Sequence, residues 1–150
     1  MSNIYPEWWS DTVTIYNKTE DNQTHVVTWH RHTVSGVFWK YAGDKVTVGE
    51  VTLDTKNVIC RLRRDDEHFR EGYIWQALPN DEKPNFYTLQ TGDIIVKGEV
   101  EDEIDEYTSG HRSTDFLKKY KSLQGCMEIE QVAINVGPGR GQEHYYTKGI

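Results

Sequence analysis

The residues that could do chemistry are six histidines, two cysteines and a dense run of carboxylates. His30 and His32 stand two apart and so share one face of a strand, a spacing that metal sites use. Zinc takes three or four ligands, and the only other histidine in the first sixty residues is His25, so no metal is expected. Polar alternation on an exposed strand face accounts for the pair. His68, His111 and His144 stand apart, without an HExxH pattern. Cys60 and Cys126 lack CxxC spacing and are too few to frame a secreted disulfide scaffold; they read as free, partly buried thiols in a reducing compartment. No GxSxG turn marks a serine nucleophile, and neither an enzyme activity nor a cofactor is expected.

Two other segments are suggestive in type but not in spacing. Glu99, Glu101, Asp102, Glu103, Asp105 and Glu106 could offer oxygens to calcium or a carboxylate pair to a glycoside. The run lacks the glycine and spacing of an EF-hand, and it reads as a solvated, self-repelling surface. Gly-Pro-Gly-Arg-Gly at 137–141 superficially suggests a phosphate loop, but that pattern needs Gly-Lys-Ser/Thr opening a helix. Here a strand follows, so the segment is a hairpin tip with Arg140 available for contact. Trp8 and Trp9 could form a sugar platform or anchor a protein interface, whereas Trp29, Trp39 and Trp75 fit a core equally well.

These residues must be held by one domain, since 150 residues is the length of one. With 17 Lys plus Arg against 24 Asp plus Glu, the net charge of −7 opposes nucleic-acid recognition, which works chiefly by phosphate neutralisation. Mean hydropathy is −0.76, and no apolar stretch approaches the 18 to 20 residues of a membrane span. The first twelve residues lack the parts of a secretory signal, which points to synthesis in the cytoplasm.

Period-two alternation rich in β-branched and aromatic residues predicts a mainly β fold. Strands are expected at 12–17, 25–32, 34–41, 45–53 and 57–62, with turns at 19–23, 43–44 and 54–56. Residues 63–71 and 78–86 read as surface excursions. Strand pieces are expected on either side of Gly92-Asp93, and again at 127–136 and 142–147. One helix is predicted over about 114–121: Ser113 or Thr114 can cap it, Asp115 sits in its first turn, and Lys118, Lys119 and Lys121 in its last. The sum is a small single-domain β-barrel or sandwich with long loops and one short helix.

Trp9-Ser10-Asp11-Thr12-Val13-Thr14-Ile15-Tyr16-Asn17-Lys18, Trp29-His30-Arg31-His32 with Val37-Phe38-Trp39-Lys40, the phrase 89–98 and the terminal 137–146 add one thing. Together they resemble a family of short proteins from phages and prophages of Gram-positive bacteria, the minor capsid or head-completion proteins. The resemblance runs from about Trp9 to Tyr146 and brings no catalytic motif. It implies a virion protein assembled in the host cytoplasm: a head-closure or head–tail connector subunit, a small β-barrel that forms a ring beneath the portal. The implied partners are further copies of itself, portal or adaptor proteins and tail proteins, with a passive DNA channel and no membrane. On that view Arg63, Arg64, His68, Arg70, Arg140, Trp8 and Trp9 are interface candidates. The carboxylates from Glu99 to Glu106 would face the channel and let DNA slide past. A β-sandwich carbohydrate-binding module, built on exposed Trp8 and Trp9, is the alternative.

Overall fold

Alternating residues from Asp11 onward form the first strand, β1 (Asp11–Glu20), whose inward Val13 and Ile15 are fully buried. The computed structural model describes residues 9–48, 51–135 and 144–150. After β1 the chain turns at Asp21, whose Oδ1 accepts the N–H groups of Gln23 and Thr24 at 2.8 and 2.9 Å, while His25 takes a φ of 59°.

The strand count is lower than the alternation predicts. The segments expected as separate strands and turns form two long strands, β2 (Val27–Val48) and β3 (Val51–Arg63). The expected turn residues Gly43 and Asp44 are registered with Lys56 and Thr55 inside one antiparallel ladder. Their turn propensity is overridden by a run of pairs extending from Phe38↔Arg61 to Val48↔Val51. The change of partner comes at Gly36, with φ at 74°, opposite a register shift between Asp11 and Thr12. There β2 bulges, leaves β1 and takes up β3, a bend that a glycine accommodates without strain.

The remaining elements are α1 (Gly72–Gln76), a 3-10 turn at Lys83–Asn85, β4 (Ile94–Lys97), α2 (Ser113–Leu123), β5 (Cys126–Asn135) and β6 (His144–Gly149). All strand pairs are antiparallel and close a barrel in the order β1-β2-β3-β6-β5-β4. Of the two strand pieces expected around Gly92-Asp93, only the second exists, as β4; the first joins the excursion through an isolated bridge, Phe69↔Tyr87. The helix expected over 114–121 is α2, with Asp115 in its first turn and Lys121 in its last. Neither Ser113 nor Thr114 caps it. Arg112 holds that position, and Glu106 Oε1 accepts the Ser113 N–H at 2.5 Å.

Two cores explain the apolar run Ile94-Ile95-Val96. Ile95 points into the barrel with Val13, Ile15, Leu62 and Met127. Ile94 and Val96 face outward into a second cluster with Tyr16, Trp29, Val100, Ile104, Phe116 and Tyr120. A strand buried on both faces needs no polar alternation. α2 and the acidic segment before it therefore cover the outside of β1 and β4. Cys60 and Cys126 are buried free thiols; burial pushes the Cys60 pKa well up and that of Cys126 up to about 12.

Candidate functional site

The excursion after β3 folds back on residues 84–87. Arg70 N–H donates to Tyr87 O at 2.9 Å, and Tyr87 N–H to His68 O at 3.0 Å. Between the two strips opens a cleft of about 670 Å³, lined by His32, Glu67, His68, Arg70, Pro84, Asn85 and Phe86. Its floor is aromatic: the His32 ring stacks on Tyr87 at 5.1 Å and lies 5.8 Å from the His68 ring. His32 Nδ1 is 3.1 Å from Pro84 O, and since a carbonyl only accepts, Nδ1 is the donor of that bond.

Asp66 organises one side of the cleft. It accepts the His68 N–H at 2.9 Å and the Tyr87 hydroxyl at 2.9 Å, and its carboxylate lies 3.4 Å from His68 Nδ1. Burial, helped by Asp66, holds the Tyr87 hydroxyl far above the usual tyrosine range. On the other side Arg70 Nη1 donates to Glu67 O and Phe69 O, each at 2.8 Å, and its guanidinium lies 4.2 Å from the centre of the Phe86 ring. The cleft thus offers two imidazoles and a pre-oriented guanidinium to an anionic or aromatic group of a partner.

Of the candidates on this excursion, His68 and Arg70 come together in the cleft. Arg63 instead forks onto Asp65, its Nε and Nη2 donating at 3.2 and 3.1 Å, in an adjoining hollow. Arg64 stands over the Tyr145 ring at 5.7 Å. Trp9 is 6% exposed, stacked 6.3 Å from Phe38 and edge-on to His144 at 5.7 Å, so it offers neither a sugar platform nor a surface anchor. Trp8 and Arg140 lie outside the described residues.

The acidic run is largely tied down rather than self-repelling. Asp102 accepts from Lys119 Nζ at 2.9 Å and from the Tyr120 hydroxyl, bonds that hold its carboxyl below the usual range. Asp105 accepts the Tyr107 N–H and the Thr108 hydroxyl, with the same effect. Glu103 lies 3.5 Å from Arg31. Glu99 and Glu101 have no side-chain partner among the described residues, and they line an open depression of about 450 Å³ with Val100, Tyr120 and Gln124.

His30, paired with His32 by spacing, packs edge-on to Trp75 at 5.5 Å, and burial, followed by Lys83, pulls its pKa down. Lys83 was not singled out by any motif, yet it is 3% exposed, bonds Leu78 O and lies 5.6 Å over the Trp75 ring. Only the flanking Pro79 and Pro84 hint that this segment is tightly folded.

No curated protein and no solved structure matches this chain. One family model matches residues 9–149, which takes in every strand of the barrel and both excursions. The chain therefore belongs to DUF6751, a family of unknown function.

Proposed function

We propose that the protein is a structural virion subunit, a head-closure or head–tail connector piece that assembles as a ring between portal and tail. The observation that carries this reading is the ribbon made by the end of β2 and the start of β3. From Ala42↔Asn57 to Val48↔Val51 the two strands pair only with each other among the described residues, because β1 leaves β2 at Val37 and β6 joins β3 only from Val58. At about 3.3 Å per residue the ribbon is about 20 Å long. A lone two-stranded ribbon is marginal in water, and each strand leaves one edge of N–H and C=O groups unpaired. A neighbouring subunit that covers it would stabilise it, and in a ring every subunit has such a neighbour.

The phage-protein resemblance of the sequence supports the same reading. Its partners are then other copies, a portal or adaptor protein on one side and tail proteins on the other, around a passive channel through which DNA passes without being read. The test is mass spectrometry of purified virions from the source phage or induced prophage, counting this chain against the major capsid protein. A small copy number fixed by ring symmetry is the expected result. Absence from particles would sink the proposal.

A further inference from the structure

One wall of the barrel is cationic although the chain is acidic. Across β2, β3 and β6, Lys40, Ile59 and Lys148 form one register row, and Phe38, Arg61 and Tyr146 form the next row on the same face. The row between them, Trp39, Cys60 and Thr147, is buried inside the barrel, so these two rows face outward. Lys40 and Lys148 stand two strands apart, about 10 Å. The Arg61 guanidinium lies 5.4 Å from the Phe38 ring and 5.9 Å from the Tyr146 ring, and its Nε is buried without a hydrogen-bond partner. None of the three cations pairs with a carboxylate among the described residues.

The complementary charges lie across the barrel. Residues 98–102 are fastened over β1: Thr14 Oγ1 donates to Gly98 O at 2.8 Å and accepts the Val100 N–H at 2.9 Å, and Tyr16 donates to Asp102 O at 2.5 Å. This segment carries Glu99 and Glu101, the exposed, unpaired carboxylates at the depression. In the closed strand order, β1 and β4 are separated from β3 and β6 by β2 on one side and β5 on the other. The Lys40–Arg61–Lys148 patch and the Glu99–Glu101 patch therefore sit on opposite walls.

We propose that the Lys40–Arg61–Lys148 wall of one copy docks on the Glu99–Glu101 depression of the next. The contact joins two different patches, so it repeats head to tail and closes into a ring when the rotation per subunit allows. It rests on the ring reading above and names the surfaces that would make the ring. Single exposed ion pairs contribute little, but the guanidinium held between two rings is already ordered and gives the contact a rigid apolar base.

The test is sedimentation velocity on the full chain, at low salt and at about 1 M salt, where the screening length falls to about 3 Å. The wild type should self-associate at low salt and dissociate at high salt. Lys40→Glu with Lys148→Glu should weaken association at least tenfold, as should Glu99→Lys with Glu101→Lys. A mixture of the two double variants restores both cross-contacts, the native patches in one and swapped charges in the other, and should co-assemble in alternation where neither variant assembles alone. A wild type that stays monomeric at low salt, or association unchanged in either variant, overturns the proposal. A single-stranded oligonucleotide that binds the wild type but not the Lys40/Lys148 variant, with association unchanged, also overturns it and assigns the wall to nucleic acid. Charge-swapped rescue by a protein absent from virions would keep this contact and remove the connector reading. Ring-like copy number in virions with normal incorporation of both variants would do the reverse.

Discussion

Gly149 occupies a position with no room for a side chain: a Cβ there would meet the Glu128 carbonyl oxygen at 2.0 Å and the Met127 sulfur at 3.1 Å. Gly149→Ala must push β6 away from β5, whose register against β6 shifts between Ile129 and Gln131, and a cost of about 3 kcal/mol is expected in chemical denaturation. A wild-type midpoint would mean that the two strands part freely. Asp93 gives a pH signature. It is 1% exposed and receives Asn17 Nδ2 at 2.7 Å, the Lys18 N–H at 3.0 Å and Gln90 Nε2 at 2.9 Å. Burial outweighs these donors and raises its pKa from 3.8 to about 6. Because the folded value is the higher one, its contribution is complete below about pH 4 and is lost as pH rises through about 6, on the order of 3 kcal/mol in all. Stability of the wild type should fall across that window relative to Asp93→Asn; parallel pH profiles would refute the assignment. Neither residue was legible beforehand. Gly149 is one of 12 glycines, and Asp93 read as half of a turn, because the Asn17 that binds it lies 76 positions away.

At the scale of elements, local signals worked where local interactions decide. α2 was visible because the charges matched to its dipole all lie within one helix. The long strands were misread because Gly43-Asp44 and the 54–56 segment carry turn residues, yet they face each other across one long hairpin, Gly43↔Lys56 and Asp44↔Thr55, whose pairing outweighs single-residue turn propensity. α1 is five residues long, uncapped by any side chain, and is held by the fully buried Trp75, whose Nε1 donates to Lys83 O and Phe86 O at 3.3 and 3.2 Å. Such a helix has no sequence signature of its own. The ribbon yields a prediction at this scale. Replacing residues 43–56 with a short turn removes pairs that no other strand shares, so the barrel should keep its denaturation midpoint while virion incorporation is lost. A collapse in stability would show that the ribbon is part of the barrel's own support.

For the whole molecule, a small, mainly β architecture was legible from composition and alternation, while the choice of barrel over sandwich and the strand order were not, since closure depends on which distant strands meet. That closure rests on a small element. β4 contributes four registered pairs to β1 and three to β5, where β1 and β2 share ten. What holds β4 in place is less its ladder than the two apolar clusters pressed against its faces. Temperature then becomes the lever: apolar burial weakens on cooling while backbone hydrogen bonds do not fade in the same way. The seam should therefore be the first part of the barrel to breathe in the cold. Amide exchange at Ile94, Ile95 and Val96 should speed up, relative to β1, as the sample approaches freezing, and a constant ratio would show that the ladder alone closes the barrel.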